Sequence, residues 1–236
     1  MTSRFSIKLF ADGANLDDML AAQNSGEISG FTTNPTLMRK AVVTNFAAFA
    51  KQVVAKIKRL PVSFEVFSDE LGEMERQARE IATWGDNVYV KIPVTNTKGE
   101  FTGPILTSLS RDSIKLNVTA IFTLEQVHNV VQALDKNTPS VISVFAGRIA
   151  NAGLDPMPIM RAAVAMAKTN PLSEVLWASP REALNVLQAQ ECGCHIITMT
   201  PDLIKATATF GKSLDEFSLE TVKMFYDDAK AAGYSL

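Results

Sequence analysis

The chain has 236 residues, of which 47% are hydrophobic, and its formal net charge at pH 7 is −2. A chain of this length can bury one large core, so a single domain is the simplest expectation. The charge is close to neutral and no run is rich in Lys and Arg, which argues against nucleic acid or an anionic membrane as partner. Small neutral or anionic molecules remain open as ligands.

Neither export nor a metal cofactor is indicated. Residues 1–5 contain no apolar segment typical of a signal, and no apolar run approaches the ~18 residues that span a bilayer, so we expect a cytoplasmic protein. Cys192 and Cys194 have no second pair to complete a zinc site, and are expected to be reduced. His128 and His195 lack partners at metal-ligand spacing and no nucleotide-binding motif occurs, so we expect no metal and no cofactor.

Along the chain, short apolar segments alternate with segments of helical periodicity. The predicted strands lie near residues 7–12, 29–34, 61–67, 87–93, 115–122, 140–147, 174–179 and 195–199. Helix starts are indicated by capping residues or by prolines, at Asn15, Asn45, Thr123, Pro156, Pro180 and Pro201. Eight such units with no linker between them predict one (β/α)8 TIM barrel over residues 1–236. An open, doubly wound sheet is the alternative.

The C-terminal residues 212–236 depart from this alternation and predict a helical extension. Residues 218–233 have an amphipathic pattern with Val222, Phe225 and Tyr226 on one side. Such a helix could cover its own barrel or pack on a neighbouring subunit.

The fourth predicted strand contains a lysine among aliphatic residues. Val88, Val90 and Ile92 alternate with Tyr89 and Lys91, so the lysine lies on the opposite face from the aliphatic side chains. Taken alone, this is typical of a lysine on a solvated face. The alternative is an amine enclosed by apolar neighbours, where desolvation disfavours the ammonium form and leaves a nucleophile that can form a Schiff base.

The alternation of side chains along the other strands tests these two alternatives for Lys91, because alternate residues of a barrel strand face the lumen. In the predicted strands, polar residues fall on one face, mostly towards the C-terminal ends, where barrel enzymes have their sites. Trp177 is assigned to the same face as Ser179, and Phe145 to the same face as Ser143. The predicted inward polar residues are Asp12, Asn34, Glu65, Lys91, Asn117, Thr119, Ser143 and Ser179. This pattern does not fit a merely solvated lysine.

Two motifs resemble those of a known family. Gly30-Phe-Thr-Thr-Asn-Pro-Thr-Leu-Met38 resembles the Thr-Asn-Pro signature of the transaldolases, and Val88-Tyr-Val-Lys-Ile-Pro-Val-Thr95 resembles their Schiff-base lysine signature. The similarity extends along essentially the whole barrel and is greatest to the short, single-domain branch that includes the fructose-6-phosphate aldolases. It implies a metal-free, class I mechanism with Lys91 as the Schiff-base residue.

The resemblance also implies roles for other positions. Asp12 matches the acid/base aspartate, Glu65 the glutamate that holds a water, and Thr119 the threonine of that site. Thr33, Asn34, Asn117 and Ser143 would bind the dihydroxyacetone-like fragment, with Phe145 lining the pocket. Arg148, Ser179 and Arg181 would bind the phosphate. A guanidinium group can donate two parallel hydrogen bonds to a phosphate. A helix that begins at Pro180 would add free backbone N–H groups to bind the same phosphate.

Each assignment has a simpler alternative. Asp12 could cap the following helix, and Asn34-Pro35 could form only a turn. Glu65 could pair with Lys91 and stabilise the ammonium form, which would oppose nucleophilic attack. Arg148 and Arg181 could be surface residues.

The predicted function is transfer of a three-carbon ketol unit from a ketose phosphate to an aldose phosphate, as in the pentose phosphate pathway. The first alternative is an aldolase that releases free dihydroxyacetone, and the second is a non-catalytic barrel that binds sugar phosphates. At two positions where the aldolase branch typically has glutamine and tyrosine, this chain has Glu65 and Phe145, which favours transfer. Short relatives commonly form rings of five or ten subunits through a C-terminal helix, so we also expect a homo-oligomer.

Overall fold

A closed barrel of eight parallel strands forms the centre of the protein. The computed structural model describes residues 4–235, so residues 1–3, on which part of the expectation about export rests, lie outside the described range. Each strand pairs with its neighbour in sequence, and β1 pairs in parallel with β8, for example Lys8 with Ile196. This closure confirms the predicted TIM barrel and excludes the open sheet.

All eight predicted strands are present, with slightly shorter bounds. They are β1 Lys8–Asp12, β2 Gly30–Thr32, β3 Val62–Glu65, β4 Val88–Pro93, β5 Leu116–Ile121, β6 Ser140–Val144, β7 Ser173–Trp177 and β8 Ile196–Met199. The helices are α1 Leu16–Ser25, α2 Pro35–Lys40, α3 Phe46–Lys56, α4 Leu71–Ala82, α5 Gly103–Arg111, α6 Leu124–Ala133, α7 Ala146–Asn151, α8 Met157–Ala167, α9 Asn185–Glu191, α10 Pro201–Ala206 and α11 Leu214–Ala231, with a 3-10 turn at Thr207–Thr209.

Most helix starts are where the sequence predicts them. The Asn15 side chain accepts hydrogen bonds from the backbone of Asp17 and Asp18, and Thr123 forms a capping box with Gln126. The prediction that Pro180 opens a helix is wrong, because α9 begins at Asn185. The Asn185 side chain instead accepts from the N–H groups of Arg181 and Glu182, which closes a turn before the helix.

Alternation along the strands separates two apolar layers, as predicted. Leu9 and Ala11 belong to the large core that includes the helices, whereas Phe10 belongs to a small cluster with Val141, Leu176, Ala178 and Ile196. The Phe10 ring lies 2.5 Å from where a β-carbon on Gly30 would stand, so this position has no room for a side chain. The small cluster fills the lumen beneath the polar residues.

Strand β7 requires a correction. Trp177 was expected to share the inward face with Ser179, but it is 1% exposed and lies in the large core, while Leu176 and Ala178 belong to the lumen cluster. Ser179 nevertheless points inward, because the strand ends at Trp177 and Ser179 has a φ of 59°. This left-handed conformation breaks the alternation from which Trp177 was assigned.

The predicted C-terminal helix is α11, and none of its residues is buried. Its exposed apolar residues include Val222, Phe225 and Tyr226, each more than half exposed. Over residues 4–235, no helix combines the length and the apolar character required to cross a membrane.

Candidate active site

A cavity of about 100 Å³ lies at the C-terminal end of the barrel, among the predicted polar residues. Its walls come from strand ends and the loops that follow them, the position where barrel enzymes carry their sites. The lining residues are Asp12, Thr32, Asn34, Lys91, Thr119, Ser143, Phe145, Arg148, Leu176, Ala178, Ser179 and Thr198. A larger apolar groove of about 670 Å³ lies between α1, α2 and α10, and it meets this cavity only at Asp12.

Lys91 is enclosed at the base of the cavity. The residue is 7% exposed, and its Nζ lies 3.2 Å from Oε2 of Glu65 and donates to the carbonyl oxygen of Thr33 at 3.2 Å. The alternative of a solvated lysine is therefore wrong. The pairing of Glu65 with Lys91, considered above as an alternative, is therefore present. The same carboxylate is the acceptor beside the amine for the proton that the amine must lose before it can attack a carbonyl.

Asp12 ends β1 and faces Lys91 across the cavity. Its Oδ1 accepts a hydrogen bond from Thr32 Oγ1 at 2.8 Å. Burial raises the pKa of the Asp12 carboxyl above its usual value, while the charge of Lys91 and the Thr32 hydrogen bond act in the opposite direction. Helix α1 is capped by Asn15, so the alternative role of Asp12 as its cap is wrong.

Asn117 and Ser143 form a buried polar chain with Ser63. Ser143 Oγ donates to Asn117 Oδ1 at 2.6 Å, and Asn117 Nδ2 donates to Ser63 Oγ at 3.0 Å. Ser143 lines the cavity, whereas Asn117 is fully buried behind it. In this arrangement Asn117 orients the Ser143 hydroxyl, and the side chain expected to contact a ligand directly is Ser143 alone.

Thr119 lies on the cavity wall, where the alternation of β5 predicts it, and a β-bulge follows it. The pairing of β5 with β6 shifts between Val118 and Ile121, and Ala120 between them has a φ of 58°. The Thr119 hydroxyl lines the cavity, is buried, and has no hydrogen-bond partner within the described part of the chain. It is therefore free to bind a water or a ligand hydroxyl.

Thr33 and Asn34 have different surroundings, although they are adjacent. Asn34 lines the cavity while its Oδ1 caps α2 by accepting from Leu37 N, so it is more than a turn residue. The Thr33 hydroxyl instead donates to Ser63 O, and the residue is fully buried. Thr33 was expected to bind substrate, but the alternation of β2 turns its side chain away and leaves only its carbonyl in contact with Lys91.

The expected anion-binding residues divide into two groups. Arg148 and Ser179 line the cavity, and the Arg148 guanidinium lies 5.4 Å from the centre of the Phe145 ring. Arg181 lies outside the lining residues, and its Nε donates to Gly147 O and Asn151 Oδ1. The backbone N–H of Arg181 is bonded to Asn185, so it is not free for an anion as we had expected from Pro180.

Four further residues line the cavity that were not expected there: Thr32, Leu176, Ala178 and Thr198. The alternation argument, extended to β8, would have found Thr198, which is two residues after the lumen residue Ile196. In the described range, no group of three or more His, Cys, Asp or Glu side chains is placed to hold a metal. Burial raises the pKa of the Cys194 thiol to about 12, so that thiol is not a reactive nucleophile.

The chain is similar in sequence to a known protein family over almost its whole length. The sequence model of the transaldolase/fructose-6-phosphate aldolase family matches residues 9–236. Probable transaldolases from Dehalococcoides mccartyi and Roseiflexus castenholzii are 34% and 36% identical over 82% and 81% of this chain, and over 86% and 85% of their own. A probable transaldolase from Streptococcus agalactiae serotype V is 33% identical over 95% of this chain and 99% of its own.

The fold is also found in a solved structure of low sequence identity. Dihydrodipicolinate synthase from Rhodopseudomonas palustris superposes with a TM-score of 0.56 at 14% identity, covering 84% of this chain and 71% of that chain. At this level of identity the likeness concerns the barrel only.

Proposed function

Because the chain belongs to the transaldolase/fructose-6-phosphate aldolase family, we propose that it transfers a dihydroxyacetone unit between sugar phosphates through a Schiff base on Lys91. The observation that carries this proposal is the enclosed Lys91 amine, with Glu65 at 3.2 Å and Asp12 on the same cavity. A buried amine between two carboxylates has the groups needed for both carbonyl addition and proton transfer.

The first step is addition of the Lys91 amine to the C2 carbonyl of a ketose phosphate. Glu65 Oε2 accepts a proton from the ammonium group, and the free amine attacks the carbonyl carbon. Loss of water from the carbinolamine then gives the iminium ion. The unpartnered Thr119 hydroxyl supports this step, because it can hold the water that leaves here and returns when the Schiff base is hydrolysed.

The second step is cleavage of the C3–C4 bond. Asp12 takes the proton of the C4 hydroxyl, the C3–C4 electrons move into the iminium, and an aldose phosphate leaves while a neutral enamine remains on Lys91. The raised pKa of the Asp12 carboxyl suits this task, since a base is most effective when its pKa lies close to the working pH. In the second half of the reaction the enamine attacks the carbonyl carbon of a second aldehyde, which forms a new C3–C4 bond and restores the iminium. Asp12 then gives its proton to the oxygen that was the aldehyde carbonyl.

Different residues of the cavity wall would bind the two ends of the sugar phosphate. Asn34 and Ser143 would bind hydroxyls of the three-carbon fragment, with Asn117 holding Ser143 in place. Arg148 and the Ser179 hydroxyl would bind the phosphate of the other fragment. Arg181 would support that end by bonding to Gly147 O, and it would not itself contact the phosphate in the arrangement described.

Transfer is favoured over release of free dihydroxyacetone by Phe145. Its ring lines the cavity and has no hydroxyl to polarise a water at the enamine carbon. The enamine is therefore better placed to meet an aldehyde than a proton. Release by an aldolase reaction is the alternative, and a barrel that only binds sugar phosphates is the third possibility.

Borohydride reduction with fructose 6-phosphate tests the Schiff base, because only an iminium is trapped irreversibly. Intact-mass measurement should show a covalent gain for the wild type and for Lys115→Ala, in which a lysine bonded to Asp86 O is removed, but no gain for Lys91→Ala. Omission of the sugar should abolish the gain. No gain in the wild type, or a gain that survives Lys91→Ala, would contradict the proposal and favour the binding barrel.

We also propose that the protein is a cytoplasmic homo-oligomer, with a ring of five or ten subunits as the expected form. Helix α11 supports this, because its exposed apolar residues need a partner in water and no residue of the helix is buried on its own barrel. Both cysteines are free and buried, as is common in a reducing compartment. Light scattering should give an oligomer for the wild type and for Lys223→Glu, and a smaller species for Phe225→Asp. A wild-type monomer at micromolar concentration would contradict this assembly.

A further inference from the structure

Three side chains from three strands form a hydrogen-bonded chain that ends at Asp12. Thr198 of β8 and Thr32 of β2 have their hydroxyl oxygens 2.5 Å apart, and Thr32 Oγ1 lies 2.8 Å from Asp12 Oδ1. Both threonines are almost completely buried and both line the cavity. None of the steps derived above makes use of Thr198.

The protonation state of Asp12 fixes the direction of this chain. An ionised carboxylate only accepts hydrogen bonds, so Thr32 uses its single proton on Asp12. The contact between the two threonines then requires Thr198 to donate to Thr32. Donation to the Thr32 oxygen polarises its O–H bond and strengthens its own donation to the carboxylate.

We propose that Thr198 is a positioning residue for the Asp12 carboxylate, acting through Thr32. It holds Thr32 in the orientation in which the hydroxyl points at Oδ1, and so leaves Oδ2 directed towards the substrate hydroxyl. This inference rests on the proposed function, because it assumes that Asp12 is the base for the C4 hydroxyl. When Asp12 takes the proton, Thr32 and Thr198 can both reverse their donation, so the chain serves the ionised and the neutral carboxyl.

Other charged groups also face Asp12 and set the background for any pH measurement. In the cavity these are Lys91, Glu65 beyond it, and Arg148. On the other side of the turn after β1, the apolar groove contributes Asp18, Glu27, Lys40 and Lys205. None of these groups is altered by substitution of Thr198, so a change in the Asp12 titration can be assigned to the threonine chain.

The test compares Thr198→Val, which removes the hydroxyl at nearly constant volume, with Thr198→Ser, which retains it. Loss of one hydrogen bond in the chain should lower kcat for cleavage of fructose 6-phosphate by about three- to tenfold, with KM little changed. The acid limb of the kcat/KM profile should move to higher pH, because the carboxylate is less well stabilised. Thr198→Ser should restore both quantities. Ser173→Ala, which breaks the buried Ser140–Ser173 pair elsewhere in the barrel, is the matched control and should leave the profile unchanged.

A double-mutant cycle distinguishes action through Asp12 from a direct role. In an Asp12→Asn background, Thr198→Val should cause no further loss of kcat. A full additional loss in that background, or an increase in KM with kcat unchanged, would overturn the proposal and make Thr198 a substrate ligand. If Thr198→Val does not fold, Thr198→Ala serves for the same comparison.

Trapping with dihydroxyacetone and borohydride separates this inference from the proposed function. Dihydroxyacetone has no C4 hydroxyl, so Thr198→Val should be trapped on Lys91 to the same extent as the wild type. If the wild type is not trapped, the proposed function fails. If the wild type is trapped and cleaves the sugar, and Thr198→Val cleaves it equally fast, only the role of Thr198 is refuted.

Discussion

The carbonyl oxygen of Ser179 lies 1.6 Å from the position that a β-carbon would take on Gly147. The first turn of α7 and the loop that follows β7 therefore touch through their backbones at this point, and Gly147 N also donates to Ala178 O. Because Arg148 follows Gly147 directly, this close approach sets the spacing between Arg148 and Ser179 at the expected phosphate end of the cavity.

Substitution of Gly147 should therefore affect phosphate binding as well as stability. Gly147→Ala forces α7 away from the loop after β7, since backbone atoms cannot yield as a flexible side chain does, and we expect a loss of about 1–3 kcal/mol in the free energy of unfolding. KM for phosphorylated donors should rise, and KM for free dihydroxyacetone should change little. Gly72→Ala is the control, because a β-carbon there meets nothing within 4 Å. Wild-type KM values for Gly147→Ala would show that the contact between Gly147 and Ser179 does not set the anion site.

Arg148 and Arg181 should differ in their effects, because only Arg148 lines the cavity. Loss of a charge-assisted contact is worth about 1.5–3 kcal/mol, so Arg148→Ala should raise KM for fructose 6-phosphate roughly ten- to a hundredfold. Arg181→Ala should have a smaller effect, exerted through Gly147. Steady-state kinetics with phosphorylated and unphosphorylated donors check this, with Arg161→Ala, which breaks an exposed ion pair to Glu191, as control. Equal losses for both kinds of donor would assign Arg148 to the fold and not to the phosphate.

Asp12→Asn should abolish most of the activity and yet stabilise the protein at neutral pH. Burial raises the pKa of this carboxyl, so between the unfolded and the folded pKa the native state binds more protons than the unfolded chain. The contribution of Asp12 to stability therefore falls as pH rises through that interval. The Asp12→Asn variant does not lose stability in this way. Its greater stability relative to the wild type should vanish below about pH 4, the ordinary pKa of an aspartate.

Thermal unfolding of the wild type and of Asp12→Asn as a function of pH measures this difference, while kcat should fall by about 10²–10⁴. Asp17→Asn, at an exposed position of α1, controls for removal of a surface charge. A stability difference between wild type and Asp12→Asn that does not vary with pH would show that the carboxyl does not titrate as argued.

Phe145→Tyr should shift the balance from transfer to release. The new hydroxyl would enter the cavity and could position a water or donate a proton to the enamine carbon. The measurement is glyceraldehyde 3-phosphate formed from fructose 6-phosphate with and without erythrose 4-phosphate. Phe122→Tyr is the matched control, because its ring lies 5.7 Å from that of Phe145 but does not line the cavity. If the wild type forms the product equally fast without the acceptor, it is an aldolase and the interpretation of Phe145 is wrong.

The amino-acid pattern alone predicts the eight strands, the order in which they pair, and the face on which most polar residues lie. These features depend on local periodicity, which fixes the direction of a side chain once the strand is known. Asp12, Lys91, Thr119 and Ser143 could be placed together for this reason, because parallel strands of a closed barrel bring their C-terminal ends to one rim.

Tertiary structure decided the contacts between strands and the points where periodicity stops. Ser179 faces the cavity through a left-handed backbone, so its position does not follow from alternation alone. Thr198 meets Thr32 only because closure brings β8 beside β1, 166 positions away from its partner along the chain. The Arg181 side chain lies outside the cavity lining and bonds to Gly147 O and Asn151 Oδ1, contacts that the sequence does not predict. Such contacts depend on distances between elements, which closure and packing of the whole barrel determine and which no local pattern contains.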